Sequence, residues 1–321
     1  MKAAQALQTG GPEVLRYVDV PDPVPGAGQA LIDIQAIGVN YTDVYSRSGT
    51  TLPALPLIPG VEGAGVVAQV GEGVTEVTVG DTVAYSGVGS SYAEKVVAPA
   101  SSLVKMPDGV GAEMGAAVML QGMTAHYLCH ATYPVKPGDT VLVHAAAGGV
   151  GLLLTQMVKS LGGTVIATVS TEEKAVLARG AGADHVINYI EADFEEGVRE
   201  ITGGAGIQAV YDSVGKTTFD KGIACLEPTG YMVLYGQASG QVDPVPVSVL
   251  NAKSLFLTRP GLGHYTRTRE ELLRRAGDIL NWVQSGKLDV RIHGTFALSD
   301  AAEAHRQLEG RLTTGKLLLI P

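Results

Sequence analysis

Three groups of residues in this chain have the types and spacing to do chemistry. The first is Ala145-Ala146-Ala147-Gly148-Gly149-Val150-Gly151. Small residues let a backbone approach an anion closely, and N–H groups at a following helix start carry roughly half a positive charge toward it. A dinucleotide diphosphate fits that description, although tight helix–strand packing alone would also account for the glycines. The second group is Ser170-Thr171-Glu172-Glu173-Lys174, where hydroxyls precede an ammonium. A site selective for NAD places Asp or Glu about 20 residues beyond the glycines, where it holds the ribose 2′-hydroxyl. Val169-Ser170-Thr171 stands there instead, so a 2′-phosphate, and hence NADPH, is expected. Ser170 with Glu173 also has the form of a helix capping box, with Lys174 as a solvated helix residue. The third group is Asn40-Tyr41-Thr42-Asp43-Val44-Tyr45, whose polar side chains either meet a ligand or cap a short helix.

The surrounding pattern supplies elements to hold these groups. Val141-Leu142-Val143 reads as a buried parallel strand, and Leu152 to Leu161 as a buried helix after the glycine turn. Gly163 to Ser170 gives a second β-branched strand, completing strand–helix–strand over about 30 residues, the context the glycine motif requires. Further strands at Ala183–Asn188, Ile207–Val214 and Gly230–Gly236, with helical spans between them, make a doubly wound parallel sheet. Residues 2 to 105 read instead as short strands between turns, with alternation in Ala30–Ile37 and a further strand at Gly63–Val70. Thr268-Arg-Glu-Glu271 opens an amphipathic helix running to Trp282, supported by Glu270/Arg274 and Glu271/Arg275 pairs, and Gly315–Ile320 reads as a strand returning to the first domain. Leu255-Phe256-Leu257 lies near the end of the sheet, where an exposed strand can pair with a second subunit.

Composition narrows the function classes. With 321 residues, 45% of them hydrophobic, the chain is long enough for about two domains and a sizeable core. A formal net charge of −9 argues against a general nucleic-acid or anionic-membrane surface, so any phosphate site must be local. Cys129 and Cys225 are too few for a disulfide framework or a four-cysteine metal lobe, and a cytoplasmic location is expected. No apolar run suits a membrane span or a signal peptide. His126 and His130 stand four residues apart, yet Tyr127-Leu128-Cys129 intervene where a zinc-protease helix needs its glutamate, so a structural role is expected.

Several spaced motifs together carry a resemblance. They are Gly38-Val-Asn-Tyr-Thr-Asp43, Gly60-Val-Glu-Gly-Ala-Gly65, Gln121-Gly-Met-Thr-Ala125, His144 to Gly151, Ser170 to Lys174, Tyr211-Asp-Ser-Val-Gly215 and Thr258-Arg-Pro260. The chain resembles the zinc-free quinone oxidoreductase (ζ-crystallin-like) branch of the medium-chain dehydrogenase/reductase superfamily. The resemblance implies an α/β protein: a GroES-like β-rich catalytic domain (residues 1–125 and 265–321) plus a Rossmann domain (residues 126–264), with NADPH in the cleft between them. It implies that Asn40 and Tyr45 border the nicotinamide and the quinone, that Thr124 lines the cofactor cleft, and that Gly148, Gly149, Val150 and Gly151 hold the diphosphate. Ser170, Lys174 and Tyr189 would surround the adenosine phosphate, Ser213, Tyr235 and Gly236 would lie along the cofactor, and Lys316 would reach it from the returning segment. Zinc-dependent relatives place a cysteine where Asn40 stands and a His-Glu pair where Val61-Glu62 stands, so no zinc is expected and Glu62 reads as a supporting carboxylate.

The expected activity is NADPH-dependent, metal-independent reduction of a quinone, with Asn40 and Tyr45 hydrogen-bonding a developing oxyanion, in a protein expected to be a homodimer. Reduction of an α,β-unsaturated ketone or aldehyde, with Tyr45 as proton donor, is the competing enzymatic reading. A non-catalytic NADPH-binding or RNA-binding role of the crystallin type is the reading from another class, and the acidic charge disfavours RNA.

Overall fold

The computed structural model describes residues 1–321, which divide into two compact units: Met1–Met123 with Thr266–Pro321, and Thr124–Tyr265. In chain order the first unit contains β1 (Lys2–Gln5), β2 (Arg16–Asp19), β3 (Gln29–Val39), α1 (Tyr41–Ser48), β4 (Glu62–Val70), β5 (Thr82–Ser86), β6 (Lys95–Pro99) and β7 (Val104–Lys105). Helix α2 (Ala112–Tyr127) follows and ends in a π-turn over Leu128–Thr132. The second unit alternates β8 (Thr140–Val143), α3 (Gly149–Ser160), β9 (Thr164–Val169), α4 (Glu172–Gly180), β10 (His185–Asn188), α5 (Phe194–Ile201), β11 (Ile207–Asp212), α6 (Phe219–Cys225), β12 (Leu226–Leu234), β13 (Phe256–Thr258) and α7 (Leu262–Tyr265). Helix α8 (Arg269–Gln284), β14 (Ile292–Ala297), α9 (Ala301–Glu309) and β15 (Lys316–Ile320) complete the first unit.

The first unit is built on a sheet of order β14-β15-β3-β4-β5-β7, with β6 also paired to β3. Ile32 and Ile34 are buried while Asp33 and Gln35 face outward, the alternation of a sheet with one wet face. Its core gathers Ile32, Ile37, Val67, Leu103, Leu317 and Leu319. Register matters more here than layer count. The antiparallel pairing Leu317↔Val39 and Leu318↔Gly38 brings Lys316, one residue before Leu317, alongside Asn40, one residue after Val39. The pairing Ile37↔Gly63 likewise sets Glu62 beside Gly38. Three residues far apart in sequence therefore meet at one end of adjacent strands.

The second unit is a six-stranded sheet of order β10-β9-β8-β11-β12-β13, and every pair in it is parallel. Leu142, Ile166, Val210 and Met232 form its buried centre. Strand order reverses between β8 and β11, the topological switch point at which open α/β sheets bind ligands beyond the carboxyl ends of their strands. The sheet ends in β13, where Phe256 and Leu257 are half-exposed.

The helix beginning at Thr268 forms as expected, with the threonine side chain accepting from Glu271 N–H at 3.2 Å. One of its two expected ion pairs is replaced: Arg274 turns to Glu271 (3.0 Å), which also meets Arg275 (3.2 Å), because i,i+3 and i,i+4 neighbours share a helix face. No helix is long and apolar enough to cross a membrane.

Candidate active site

In the second unit, the expected cofactor residues collect just beyond the carboxyl ends of the parallel strands. Ala145 leaves β8 with φ +51°, a left-handed turn closed by Gly148 N–H donating to Ala145 O at 2.9 Å. The first i→i−4 bond of α3 runs from Leu152 N–H to Gly148 O, so the N–H groups of Gly149, Val150 and Gly151 precede it at the positive end of the helix. A Cβ at Gly151 would overlap the Ala145 carbonyl and the Ala146 backbone, so the turn admits only glycine there. This backbone cradle fits a diphosphate, whose charge and oxygens match what the helix start offers.

Ser170 follows β9, and the Lys174 ammonium donates to its hydroxyl at 3.3 Å. The capping expectation is off by one residue. Thr171, not Ser170, is the N-cap of α4: its backbone is extended (φ −149°, ψ 161°) and its hydroxyl accepts from Lys174 N–H at 3.3 Å. The Ser170 hydroxyl is thus left beside the ammonium, a pair suited to a phosphate monoester. Glu172 turns away to Arg179 at the surface (2.6 Å). Tyr189, exposed, follows β10 and donates its N–H to Val169 O at 3.0 Å, which keeps it next to Ser170. Ser213 follows β11, and Tyr235 and Gly236 follow β12, both donating N–H to Asp212 O (2.8 and 3.2 Å). Thr124 lies on α2 and is buried. The donors present fit NADPH: helix-start N–H groups for the diphosphate, a hydroxyl–ammonium pair for the 2′-phosphate, and no carboxylate at the end of β9 to repel it.

The first unit holds a different kind of cluster. Asn40, Glu62 and Lys316 are all nearly inaccessible to solvent. The Lys316 ammonium contacts Glu62 Oε2 at 2.5 Å and donates to Asn40 Oδ1 at 2.9 Å, where Gln121 Nε2 also donates at 3.3 Å. Asn40 Nδ2 donates to Glu62 Oε2 (2.8 Å) and Gly38 O (3.1 Å), while Glu62 Oε1 accepts from Leu120 N–H (2.5 Å). The amide orientation is forced, because lysine only donates and carboxylate only accepts. A Cβ at Gly38 would overlap the Glu62 carboxylate, so this motif glycine leaves room for the buried acid. Asn40 was expected to offer a hydrogen bond to an oxyanion. In the observed arrangement both of its amide hydrogens already have protein acceptors. Tyr45, half-buried on α1 beside Tyr41 (ring centroids 6.0 Å apart), carries a phenol of the type such a bond needs.

Comparison with known proteins gives two matching family models: an alcohol dehydrogenase GroES-like domain over residues 26–108, and a zinc-binding dehydrogenase domain over residues 149–277. A quinone oxidoreductase of Pseudomonas aeruginosa is 44% identical over 323 residues, covering 100% of this chain and 99% of that protein. The chain belongs to the quinone oxidoreductase family. Its relatives include a 2-haloacrylate reductase of a Burkholderia species, 44% identical over 99% of this chain and 98% of that protein. The structure of an Escherichia coli quinone oxidoreductase complexed with NADPH superimposes with a TM-score of 0.98 at 41% identity, with both chains fully covered.

Although one matching family is the zinc-binding dehydrogenase domain, this quinone oxidoreductase family member has a protein cation, Lys316, paired with Glu62, and no group of three or more His, Cys, Asp or Glu side chains that could hold a metal ion. His126 and His130 lie with ring centroids 4.4 Å apart on one helix side. Residues not foreseen include Gln121, which sits in a motif quoted only for Thr124, and Asp212. The Asp212 carboxylate accepts from Val214 N–H (2.7 Å), Gly215 N–H (3.0 Å) and Thr218 Oγ1 (2.8 Å), folding the loop that carries Ser213. An aspartate closing a strand before a Ser-Val-Gly turn was the available signal.

Proposed function

We propose that this protein is an NADPH-dependent quinone oxidoreductase working without a metal. The single observation that carries the reading is the hydroxyl–ammonium pair Ser170–Lys174 at the end of β9 in a chain whose zinc-ligand positions hold Asn40 and Val61. NADPH supplies a hydride equivalent when bound. The chain's own part is to hold it: Gly149, Val150 and Gly151 by their N–H groups, Ser170, Lys174 and Tyr189 at the 2′-phosphate, and Ser213, Tyr235 and Gly236 along its length. A quinone is already electrophilic, so positioning replaces Lewis-acid activation. Asn40 acts as a rigid wall fixed by Lys316 and Gln121, and the Tyr45 hydroxyl meets the oxyanion that forms on the acceptor. In a dry site such a bond contributes ~2–4 kcal/mol.

Reduction of an activated alkene is the second reading, favoured by the 44% identity to a 2-haloacrylate reductase. It needs the same hydride plus a proton, for which Tyr45 is placed. Initial rates of NADPH oxidation with a benzoquinone and with a 2-haloacrylate, measured side by side, separate them. Quinone turnover is expected to dominate and to survive treatment with a chelator; an alkene rate about a hundredfold higher, ~2.7 kcal/mol in barrier, would replace the first reading by the second. The expected homodimer is supported by β13, an unpaired sheet edge with Phe256 and Leu257 half-exposed, and sedimentation at micromolar concentration tests it. Two buried thiols, Cys129 and Cys225, suit a reducing cytoplasm.

A further inference from the structure

Behind Asn40, the first unit contains a second polar cluster that the proposed reaction does not explain. Helix α1 turns Asp43 and Arg47, four residues apart, onto its buried face; α9 buries His305 and, four residues on, holds Glu309 at the exposed rim. The hydroxyl of Tyr92, fully buried, lies between them, donating to Asp43 Oδ2 at 3.0 Å and standing 2.9 Å from His305 Nε2. Asp43 Oδ2 also accepts from Asn40 N–H at 2.8 Å, and Arg47 Nη2 pairs with Glu309 Oε1 at 2.7 Å. A continuous chain of hydrogen bonds thus runs from His305 through Tyr92 and Asp43 to the backbone of Asn40.

The cluster is poorly satisfied for a merely architectural one. Asp43 Oδ1, Arg47 Nε and Nη1, and His305 Nδ1 are buried with no hydrogen-bond partner. Buried polar atoms left unpaired destabilise a fold, and apolar side chains of similar volume would pack the same helices with less loss. Tyr92 has a single hydroxyl hydrogen and gives it to Asp43, so His305 must present Nε2–H to the Tyr92 oxygen, leaving Nδ1 bare. The order of donors therefore points one way, toward the carboxylate that grips the first turn of α1.

We propose that Tyr92 and His305 are positioning residues for the reaction: acting through Asp43, they fix the first turn of α1 and with it the side chains of Asn40 and Tyr45. This rests on the reading of Asn40 and Tyr45 as the acceptor site. The groups facing Asp43 are Asn40 N–H, Tyr92, Lys316 and Glu62, with Arg47 on its own helix. Burial pushes the Asp43 carboxyl up to about 7, against the lowering pull of Asn40 N–H, the Tyr92 hydroxyl and Lys316, while Glu62 adds to the rise. Burial, helped by Arg47, holds His305 down at about 3, so its ring stays neutral and keeps its one N–H. The carboxylate form, which holds Asn40 N–H more strongly, is lost as pH falls through about 7.

The test is the pH profile of kcat with NADPH and a benzoquinone for the wild type, Tyr92→Phe, His305→Leu and His305→Gln, with NADPH affinity read by fluorescence. Tyr92→Phe keeps the ring and removes the donor; the acid limb is expected to move up by about one pH unit, lowering kcat at pH 7 about five-fold. NADPH affinity should hold, since the groups assigned to its phosphates lie in the second unit. His305→Leu should shift the limb the same way, and His305→Gln, whose amide can donate to the Tyr92 oxygen, should restore it. An acid limb unmoved in Tyr92→Phe, or Leu and Gln variants that behave alike, would overturn the proposal even if both variants melt earlier. Wild-type protein inactive with every quinone would overturn the functional reading and this proposal with it; an active wild type with an unmoved limb would overturn this proposal alone.

Discussion

The glycine turn of the second unit and the Asn40 hub of the first solve opposite problems. The turn offers backbone: N–H groups at the start of α3, a left-handed Ala145, and glycine where a Cβ would overlap the chain. Its parts lie within seven consecutive residues, and its chemistry is local. The hub offers side chains that satisfy one another. Lys316, Glu62, Asn40 and Gln121 come from four distant segments and exchange hydrogen bonds, the first three of them nearly inaccessible to solvent. One region is built to receive a charge from outside, the other to cancel its own. Residues that match a motif in the first therefore report on ligand affinity, whereas residues that match a motif in the second report first on stability.

The sharpest way to break that contrast is Lys316→Met. The fully buried Glu62 would lose its cation, and removing one member of such a pair costs ~3–5 kcal/mol because the other charge is left unpaired. Urea unfolding at pH 7 should show this loss. Adding Glu62→Gln in the same chain should recover more than half of it, since a neutral amide can still meet Asn40 and Leu120. A loss below ~1 kcal/mol would mean that the hub is not a unit and that Lys316 is held for a ligand instead.

The same contrast explains what could be read from the sequence. The strand–glycine–helix run at Val141 to Leu161, the parallel strands after it, and the absence of a carboxylate at Ser170 were all legible, because period, turn residues and strand-end chemistry are written in consecutive residues. The contact of Lys316 with Asn40 was not. It depends on a register, Leu317 opposite Val39, that no local pattern specifies. The role of Tyr92 was hidden for the same reason: one tyrosine in a loop carries no signal until α1 and α9 bring Asp43 and His305 to its hydroxyl. Asp43 was legible only as a ligand-meeting or helix-capping residue, because sequence alone does not say whether a polar helix face meets water or a buried partner. The misassigned cap arose at finer scale, since Ser170 and Thr171 both have cap chemistry and only the backbone angles choose between them.

Lys174→Ala probes the open region with a smaller effect. One charge-assisted bond to a phosphate is worth ~1.5–3 kcal/mol, so NADPH should bind roughly 10- to 150-fold more weakly. NADH, lacking the 2′-phosphate, should be unaffected, and urea unfolding should scarcely change because Lys174 is only half-buried. Equal losses for both coenzymes would move the ammonium away from the ribose and weaken the assignment of the site.

The smallest effect gives the finest cut, because Thr171 and Ser170 are neighbours with the same chemistry and different duties. The Thr171 hydroxyl accepts from Lys174 N–H and closes the start of α4, so Thr171→Ala should cost ~1 kcal/mol of stability. It should leave the ratio of NADPH to NADH affinity where it was. The Ser170 hydroxyl caps nothing and meets only the Lys174 ammonium, so Ser170→Ala should do the converse: unfolding unchanged, NADPH affinity lower by about tenfold, the low end for a hydrogen bond to a charged phosphate. If the two substitutions exchanged effects, the cap would sit at Ser170 in solution and the helix would start one residue earlier. The hydroxyl beside the ammonium would then be the wrong one, even though the site as a whole still bound its phosphate.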